Sequence, residues 1–290
     1  MTEHIMLHSA IGDSVVAFRD IIKFSEENRK KDINLVYNKN IDPFIQHWVW
    51  PDNITLMPLE QTTQDVDNTC PFPYTGDEHN ISEAFHKNED NAHDFRPFFI
   101  QRDHEPLEHN LKDFIPDQPP FLHGLGKYIV IQPLSTINHE HSPKYIDEEL
   151  EAYEKFLINL IEHIHMYSPF SVVTVGNQED GTKFPHLMAM GSHGRYFNLI
   201  GHLGIEDLCT VIGYSSGVFG LSSSAIKIGN SVFEKPVISW RLTSPWSDLF
   251  DNFLENDSQA IQRPWEQEMT FYSDFIKNNI TNAQQPNINS

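Results

Sequence analysis

The run Leu221-Ser222-Ser223-Ser224-Ala225 joins an apolar stretch, Gly217 to Leu221, to a helix-forming one, Ala225 to Phe233. Three small hydroxyl residues at such a junction suit anion chemistry. A helix start carries unpaired N–H groups and the positive end of the helix dipole. Small side chains let a diphosphate approach that backbone, and the hydroxyls add hydrogen bonds. The same serines also make an ordinary N-cap, and the turn by itself is compatible with either use. A second turn, Ala10-Ile11-Gly12-Asp13-Ser14, follows the short segment His4 to Ser9. Gly12 lets the backbone turn tightly or lie close to a substrate. Asp13 is a carboxylate suited to take a proton from an acceptor hydroxyl. Asp13 or Ser14 can equally cap the helix that follows, and for Asp13 taken alone capping is the better reading.

These turns need strands before them and helices after them. The chain supplies both. His4 to Ser9, Ile33 to Tyr37 and Ile54 to Leu59 read as strands, and a helix runs from about Asp13 to Arg29 with Val15, Val16, Phe18, Ile21, Ile22 and Phe24 at helical spacing. Residues 60–125 are rich in Asp, Asn, His and Pro. They read as long surface loops and a linker, or as an acceptor-binding insertion. From Lys127 the alternation returns: strands over Tyr128–Gln132, Ser171–Val175, Phe197–Ile200, Gly217–Leu221 and Pro236–Trp240, with helices over about 146–167, 205–214 and 225–233. This is the pattern of doubly wound α/β sheets, in which ligands bind beyond the carboxyl ends of strands. Two more turns occupy such ends, Pro133 to Asn138 and the polar Gly176 to Asp180. The predicted organisation is a small, loop-rich first domain over 1–120, a second over 127–263, a helix over 264–278 and a disordered polar tail over 279–290. Gly124-Leu125-Gly126 reads as the hinge, and Trp48 and Trp50 as core or cleft-wall residues, with stacking on a sugar as the alternative.

Composition narrows the partners. The 290 residues carry 41 acidic side chains against 20 Lys and Arg, a formal net charge of -21. That field repels phosphate backbones and anionic lipid, which weighs against nucleic acid without barring a local basic groove. A nucleotide diphosphate would have to be held mostly by backbone N–H groups. The 16 histidines gather at His79, His86, His93, His104, His109, His139 and His141 without completing a zinc-type spacing, so no metal site is expected. Two cysteines far apart, Cys70 and Cys209, argue against a disulfide framework. The first residues lack a signal-peptide pattern, and no apolar run is long enough to span a bilayer, so a cytoplasmic location is expected.

In ordered sequence these pieces resemble the heptosyltransferase-like glycosyltransferases of family 9. The matching segments are HIMLHSAIGDSVVAFRDIIKF, IVIQPLST, VVTVGNQED and IEDLCTVIGYSSGVFGLSSSAIKIGNSVFEKPVISW. The resemblance covers about the first 37 residues and most of 127–245. It implies a GT-B fold, two Rossmann-like domains facing across a cleft, with no bound metal and no cofactor beyond the nucleotide-sugar co-substrate. It implies Asp13 as catalytic base, with Gly12 and Ser14 beside it on the acceptor side. Ser135, Thr136 and, more weakly, Lys144 would meet the donor diphosphate. Glu179, after Gly176, would hold the donor ribose. The turn Ser222, Ser223, Ser224, Ala225 would be the donor phosphate loop. The family's loop carries an Asp and, slightly later, a His; counting back from Lys235-Pro236, Ser223 and Ile228 stand in those places.

The leading expectation is therefore a metal-independent glycosyltransferase moving a hexose or heptose to an unidentified acceptor hydroxyl. The alternatives are a nucleotide-sugar hydrolase or epimerase, which would give free sugar or epimer without an acceptor. A catalytically inactive nucleotide-binding or assembly protein, suggested by the replaced Asp and His, is the third. An oligomer is compatible with all three.

Overall fold

Parallel strands with apolar side chains on both faces need helices to cover them, and both halves of the chain are built this way. The computed structural model describes residues 3–6, 18, 21–38, 42–46, 48–59, 92–94, 122–134, 147–221, 223–241, 260–265 and 267–281. The chain divides into two compact units, Met1–Phe114 and Ile115–Ser290.

In the first unit, β1 (Glu3–Met6), β2 (Ile33–Asn38), β3 (Ile54–Leu59) and β4 (Ala92–Asp94) form a parallel sheet in the order β3-β2-β1-β4. Helix α1 covers 21–27 of the expected first helix, and α2 (Asp42–Ile45) is a short addition. Ile5, Phe18, Ile21, Leu35 and Trp48 are buried together in the core of this unit. Phe18 meets Trp48 and Trp50 edge-on, with ring centroids 4.8 and 5.1 Å apart, and the Trp50 indole N–H donates to the Ile45 carbonyl. Both tryptophans thus pack internally. β4 lies within the stretch expected to be loops. Three residues, Ala-His-Asp, give no periodicity to read, and only pairing with β1 makes them a strand.

The second unit has a six-stranded parallel sheet in the order β10-β9-β8-β5-β6-β7. Its strands are β5 (Tyr128–Gln132), β6 (Ser171–Thr174), β7 (Tyr196–Asn198), β8 (Gly217–Leu221), β9 (Val237–Arg241) and β10 (Ala260–Pro264). The helices are α3 (Asp147–Tyr167), α4 (Gln178–Lys183), α5 (Pro185–Met190), α6 (Ile205–Tyr214), α7 (Ser224–Ser231) and α8 (Met269–Phe275), the last running on as a π-helix over Ile276–Thr281. One face of the sheet packs on α3 and α8 through Tyr153, Phe156, Trp240 and Tyr272, whose rings meet at 5.5–6.3 Å. The other face takes α7 so closely that a Cβ on Gly229 would sit 2.7 Å from Val218 Cγ2.

Several boundaries differ from expectation. The polar turn after β6 is short, because α4 already begins at Gln178. β10 falls in a stretch after Trp240 for which no element was expected, and the last helix begins at Met269 rather than near Pro264. Residues 279–281 belong to the π-helix rather than the tail, since Ile280 is buried against Gly217. Gly124-Leu125-Gly126 is part of the second unit: Leu125 is buried and its carbonyl accepts the Ser171 hydroxyl at 2.7 Å. Among the described residues, no helix is long and apolar enough to cross a membrane.

Candidate functional site

The chain enters the second sheet at β5, builds outward through β6 and β7, then returns to β5's other side with β8, β9 and β10. The direction of winding reverses between β5 and β8. The helices that follow these two strands, α3 and α7, cover opposite faces of the sheet, and such a reversal point is where doubly wound sheets hold nucleotides. Register brings the parts together. Ile131 pairs with Thr174 of β6, and Gln132 with Gly220 of β8. The carboxyl ends of β6, β5 and β8 are thus consecutive, and the Gly176 turn and the Ser223 turn flank Gln132 one strand away on either side, roughly 5 Å each.

At the β8 end, Ser223 is the N-cap of α7, with extended backbone at φ -144° and ψ 176°. A serine there ordinarily turns its hydroxyl back on the first-turn N–H groups. Here it does not, and the Ser223 hydroxyl, on a residue only 4% exposed, has no partner among the described residues. Instead the Ala225 N–H donates to Gln132 Oε1 at 3.1 Å, while Gln132 Nε2 donates to the Leu134 carbonyl at 3.0 Å. The first helical bond runs from Lys227 N–H to the Ser223 carbonyl. The N–H groups of Ser224 and Ile226 lie in the first turn and have no acceptor within the helix. No acidic residue occupies that turn. Lys227, one turn along, is buried and already has a partner. Gly220 is required by proximity: a Cβ there would lie 2.2 Å from the Gln132 carbonyl oxygen.

At the β6 end, Gly176 is held by its carbonyl, which accepts the Gly201 N–H at 2.9 Å. Gly201 has φ +78° and presses on Gln178, so that a Cβ would be 3.1 Å from Gln178 Cα. Beneath it, Tyr196 and Thr174 hydroxyls meet at 3.0 Å, and Thr174 Oγ1 donates to Asn198 Oδ1 at 3.2 Å. Thr174 spends its proton on Asn198, so the Tyr196 hydroxyl donates to Thr174, and burial raises that phenol to about 12. The turn thus rests on a closed polar network. Glu179 falls in the first turn of α4, directly after this support.

Of the residues singled out from the sequence, Gly176, Glu179, Ser223, Ser224 and Ala225 are brought to neighbouring strand ends. For Ala225 the geometry differs from the expected phosphate contact, because its N–H is committed to Gln132. Ser222, Ser135, Thr136 and Lys144 lie outside the described residues, as do Gly12, Asp13 and Ser14. Gln132 was missed by sequence reasoning. Its signal is the single polar residue closing an otherwise apolar buried strand, YIVIQ, immediately before Pro133. Among the described residues no three His, Cys, Asp or Glu side chains gather as a metal site, and burial raises the Cys209 thiol to about 12, which makes it a poor nucleophile.

The architecture matches known enzymes closely enough to name. The chain superposes on E. coli ADP-heptose lipopolysaccharide heptosyltransferase II with a TM-score of 0.62, at 9% identity, over 98% of this chain and 100% of the other. A family 9 glycosyltransferase from Veillonella parvula gives 0.54 at 10% identity, over 96% and 91%. The fold is the heptosyltransferase-like GT-B fold. A UDP-N-acetylglucosamine 2-epimerase from Listeria monocytogenes, itself a provisional assignment, gives 0.52 at 11% identity, over 96% and 89%. No family model matches the sequence, and no curated protein matches it by sequence. In this GT-B fold the β5–β8 crevice lies in the second Rossmann-like unit. The first unit has its own reversal between β1 and β4.

Proposed function

We propose that the chain is a glycosyltransferase that takes a sugar from a nucleoside diphosphate donor bound at the β5–β8 crevice. One observation carries the reading: the start of α7 stands at the sheet's reversal point with no acidic residue in its first turn and a buried serine hydroxyl that has no partner among the described residues. Such a turn accepts a phosphate group through the N–H groups of Ser224 and Ile226 and the Ser223 hydroxyl, with the helix dipole adding to the attraction. The heptosyltransferase II named above has ADP-heptose in its name, which supports a nucleotide sugar as the ligand class here. In the reaction, an acceptor oxygen forms a bond to the anomeric carbon. The bond from that carbon to the β-phosphate oxygen breaks, and the nucleoside diphosphate leaves with the electron pair. Asp13 takes the acceptor's proton. The α7 turn stabilises the negative charge that develops on the leaving diphosphate. Glu179 holds the ribose, Ser135, Thr136 and Lys144 the diphosphate, and Gly12 and Ser14 shape the acceptor side. No metal takes part in this scheme.

The test begins with thermal shift of the full chain against ADP, UDP, GDP, CDP and their sugar conjugates. A ligand at 100 times its Kd stabilises by about 2.7 kcal/mol, a rise of roughly 5–10 °C for a unit of this size. Sugar transfer from the binding donor is then followed, and Asp13→Asn should lower it about 10²–10⁴-fold while leaving donor affinity unchanged. No shift across the panel would sink the donor site. The Listeria epimerase, similar in fold to about the same degree as the family 9 enzyme, motivates a second reading. Epimerised or free sugar formed without any acceptor would establish it in place of transfer.

A further inference from the structure

Serine at an N-cap has one hydroxyl and two claims on it, the helix's own N–H groups and a ligand. We infer that Gln132 settles this competition: it acts as a cap delivered from another strand, and thereby releases the Ser223 hydroxyl for the donor phosphate. The inference rests on the donor-site reading above. Gln132 is the last residue of β5 and only 7% exposed. It comes 93 residues before Ala225, yet its Oε1 takes the Ala225 N–H that the cap serine ordinarily serves. Its Nε2 is fixed at the same time by the Leu134 carbonyl. Both ends of the amide are therefore engaged, and the orientation of the group follows from its partners. The backbone of β8 is drawn against the same residue, since Gly220 leaves no room for a side chain beside the Gln132 carbonyl. Gln132 is thus a positioning residue. It joins the loop that begins at Pro133 to the start of α7, the two sides of the crevice, without itself offering a free group to a ligand.

The amide is suited to this in a way that a carboxylate is not. A glutamate would accept the Ala225 N–H equally well, but it would face the Leu134 carbonyl without a proton to donate and would place a negative charge where the phosphate binds.

The arrangement predicts that Ser223 changes its role when Gln132 is removed. The experiment measures melting temperature and ADP and UDP affinity by calorimetry, on the full chain and on Ser223→Ala, Gln132→Met and the double variant. With Gln132 present, Ser223→Ala should weaken nucleotide binding about 10–150-fold, as expected for one hydrogen bond to a charged group, with a melting temperature within 1 °C of the parent by roughly the scale of an unused contact. In the Gln132→Met background the hydroxyl turns inward to cap the helix. There Ser223→Ala should lower the melting temperature by about 2–4 °C, the scale of a lost cap, and change nucleotide affinity less than twofold. Gln132→Glu should weaken ADP and UDP more than Gln132→Met does. If Ser223→Ala has the same effect on melting in both backgrounds, the distal-cap inference is wrong. If it leaves nucleotide affinity untouched in the parent while ADP or UDP binds, the release of the hydroxyl is wrong and the donor site stands. If neither nucleotide binds any protein in the set, the donor reading fails, and the melting comparison still decides whether Gln132 caps α7.

Discussion

α5 and α7 both begin beyond the carboxyl end of a β-strand, and they treat their N-termini in opposite ways. α5 follows β6 and α4, and its start is filled from inside the protein by a charge. Glu154 of α3, 3% exposed, accepts the Leu187 N–H at 2.8 Å and pairs with His186 Nδ1 at 2.8 Å. α7 receives only the neutral amide of Gln132, on one N–H. Two further helices carry acids of their own at the start: α6 has Glu206 and Asp207 in its first turn, and α2 has Asp42. In a chain with 41 acidic residues, the first turn of α7 reads Ser-Ala-Ile and carries none. An acid at a helix start satisfies N–H groups and complements the dipole, and it also repels any phosphate. If the donor site proposed above is right, the difference between α5 and α7 is that between a helix start used for folding and one left open for an anion.

The largest effect should come from making α7 resemble α5. Ser223→Asp supplies the carboxylate that α5 borrows from Glu154. At 4 Å, and with an effective dielectric of about 20, a unit charge repels another by about 4 kcal/mol. ADP and UDP affinity should therefore fall by at least about 100-fold, while the melting temperature holds or rises because Asp is a favoured cap. Calorimetry beside a melting curve checks both. Nucleotide binding within a few-fold of the parent would mean that phosphate does not approach this turn.

How much of this could be read beforehand depends on the range of the interactions involved. β5, β8 and α6 fall on their expected residues because an unbroken apolar run or a clear helical period is a local signal. Ser223 and Ser224 were legible for the same reason, as small residues at a strand-to-helix junction. Gln132 and Glu154 were not. Each acts on a backbone N–H many residues away, and nothing near them in sequence marks the partner. β10 was missed because Ala-Ile-Gln-Arg-Pro is too mixed to announce a strand; register beside β9 defines it. α5 was hidden by Pro185, which reads as a break but sits at the first helical position, where its missing N–H costs nothing. The turns that carry Asp13, Ser135 and Thr136 were placed by resemblance and by strand order, not by contacts.

The converse variant comes next in size. Glu154→Ala empties the start of α5, leaving the buried Leu187 N–H without its acceptor. The cost should be about 1–3 kcal/mol, the scale of a buried donor left unsatisfied. Because α5 does not border the β5–β8 crevice in the strand order, the ADP and UDP affinities of the folded variant should stay within about twofold, well under 1 kcal/mol. Denaturant unfolding gives the first number and calorimetry the second. Equal losses in both would mean that α5 and α7 are not functionally distinct, and the contrast drawn from their N-termini would have no consequence for binding.

The smallest effect tests the two ends of α7 against each other. The helix is closed by Glu234, the only non-glycine residue with positive φ among those described, at +51°. From there the Lys235 N–H turns back to the Gly229 carbonyl at 2.9 Å, so the left-handed conformation serves the termination. Holding a residue with a Cβ in that region costs about 1–2 kcal/mol. Glycine removes the penalty but gains freedom in the unfolded chain, which returns about 0.4–1 kcal/mol. Glu234→Gly should therefore stabilise by about 0.5 kcal/mol, a rise of roughly 1–2 °C. The far end of an eight-residue helix lies about 12 Å from its start, so ADP and UDP affinity should not change. A fall in melting temperature would show that the Glu234 side chain contributes more than its backbone costs. A fall in affinity without one would show that the two ends are coupled, and that the open N-terminus of α7 depends on how the helix is closed.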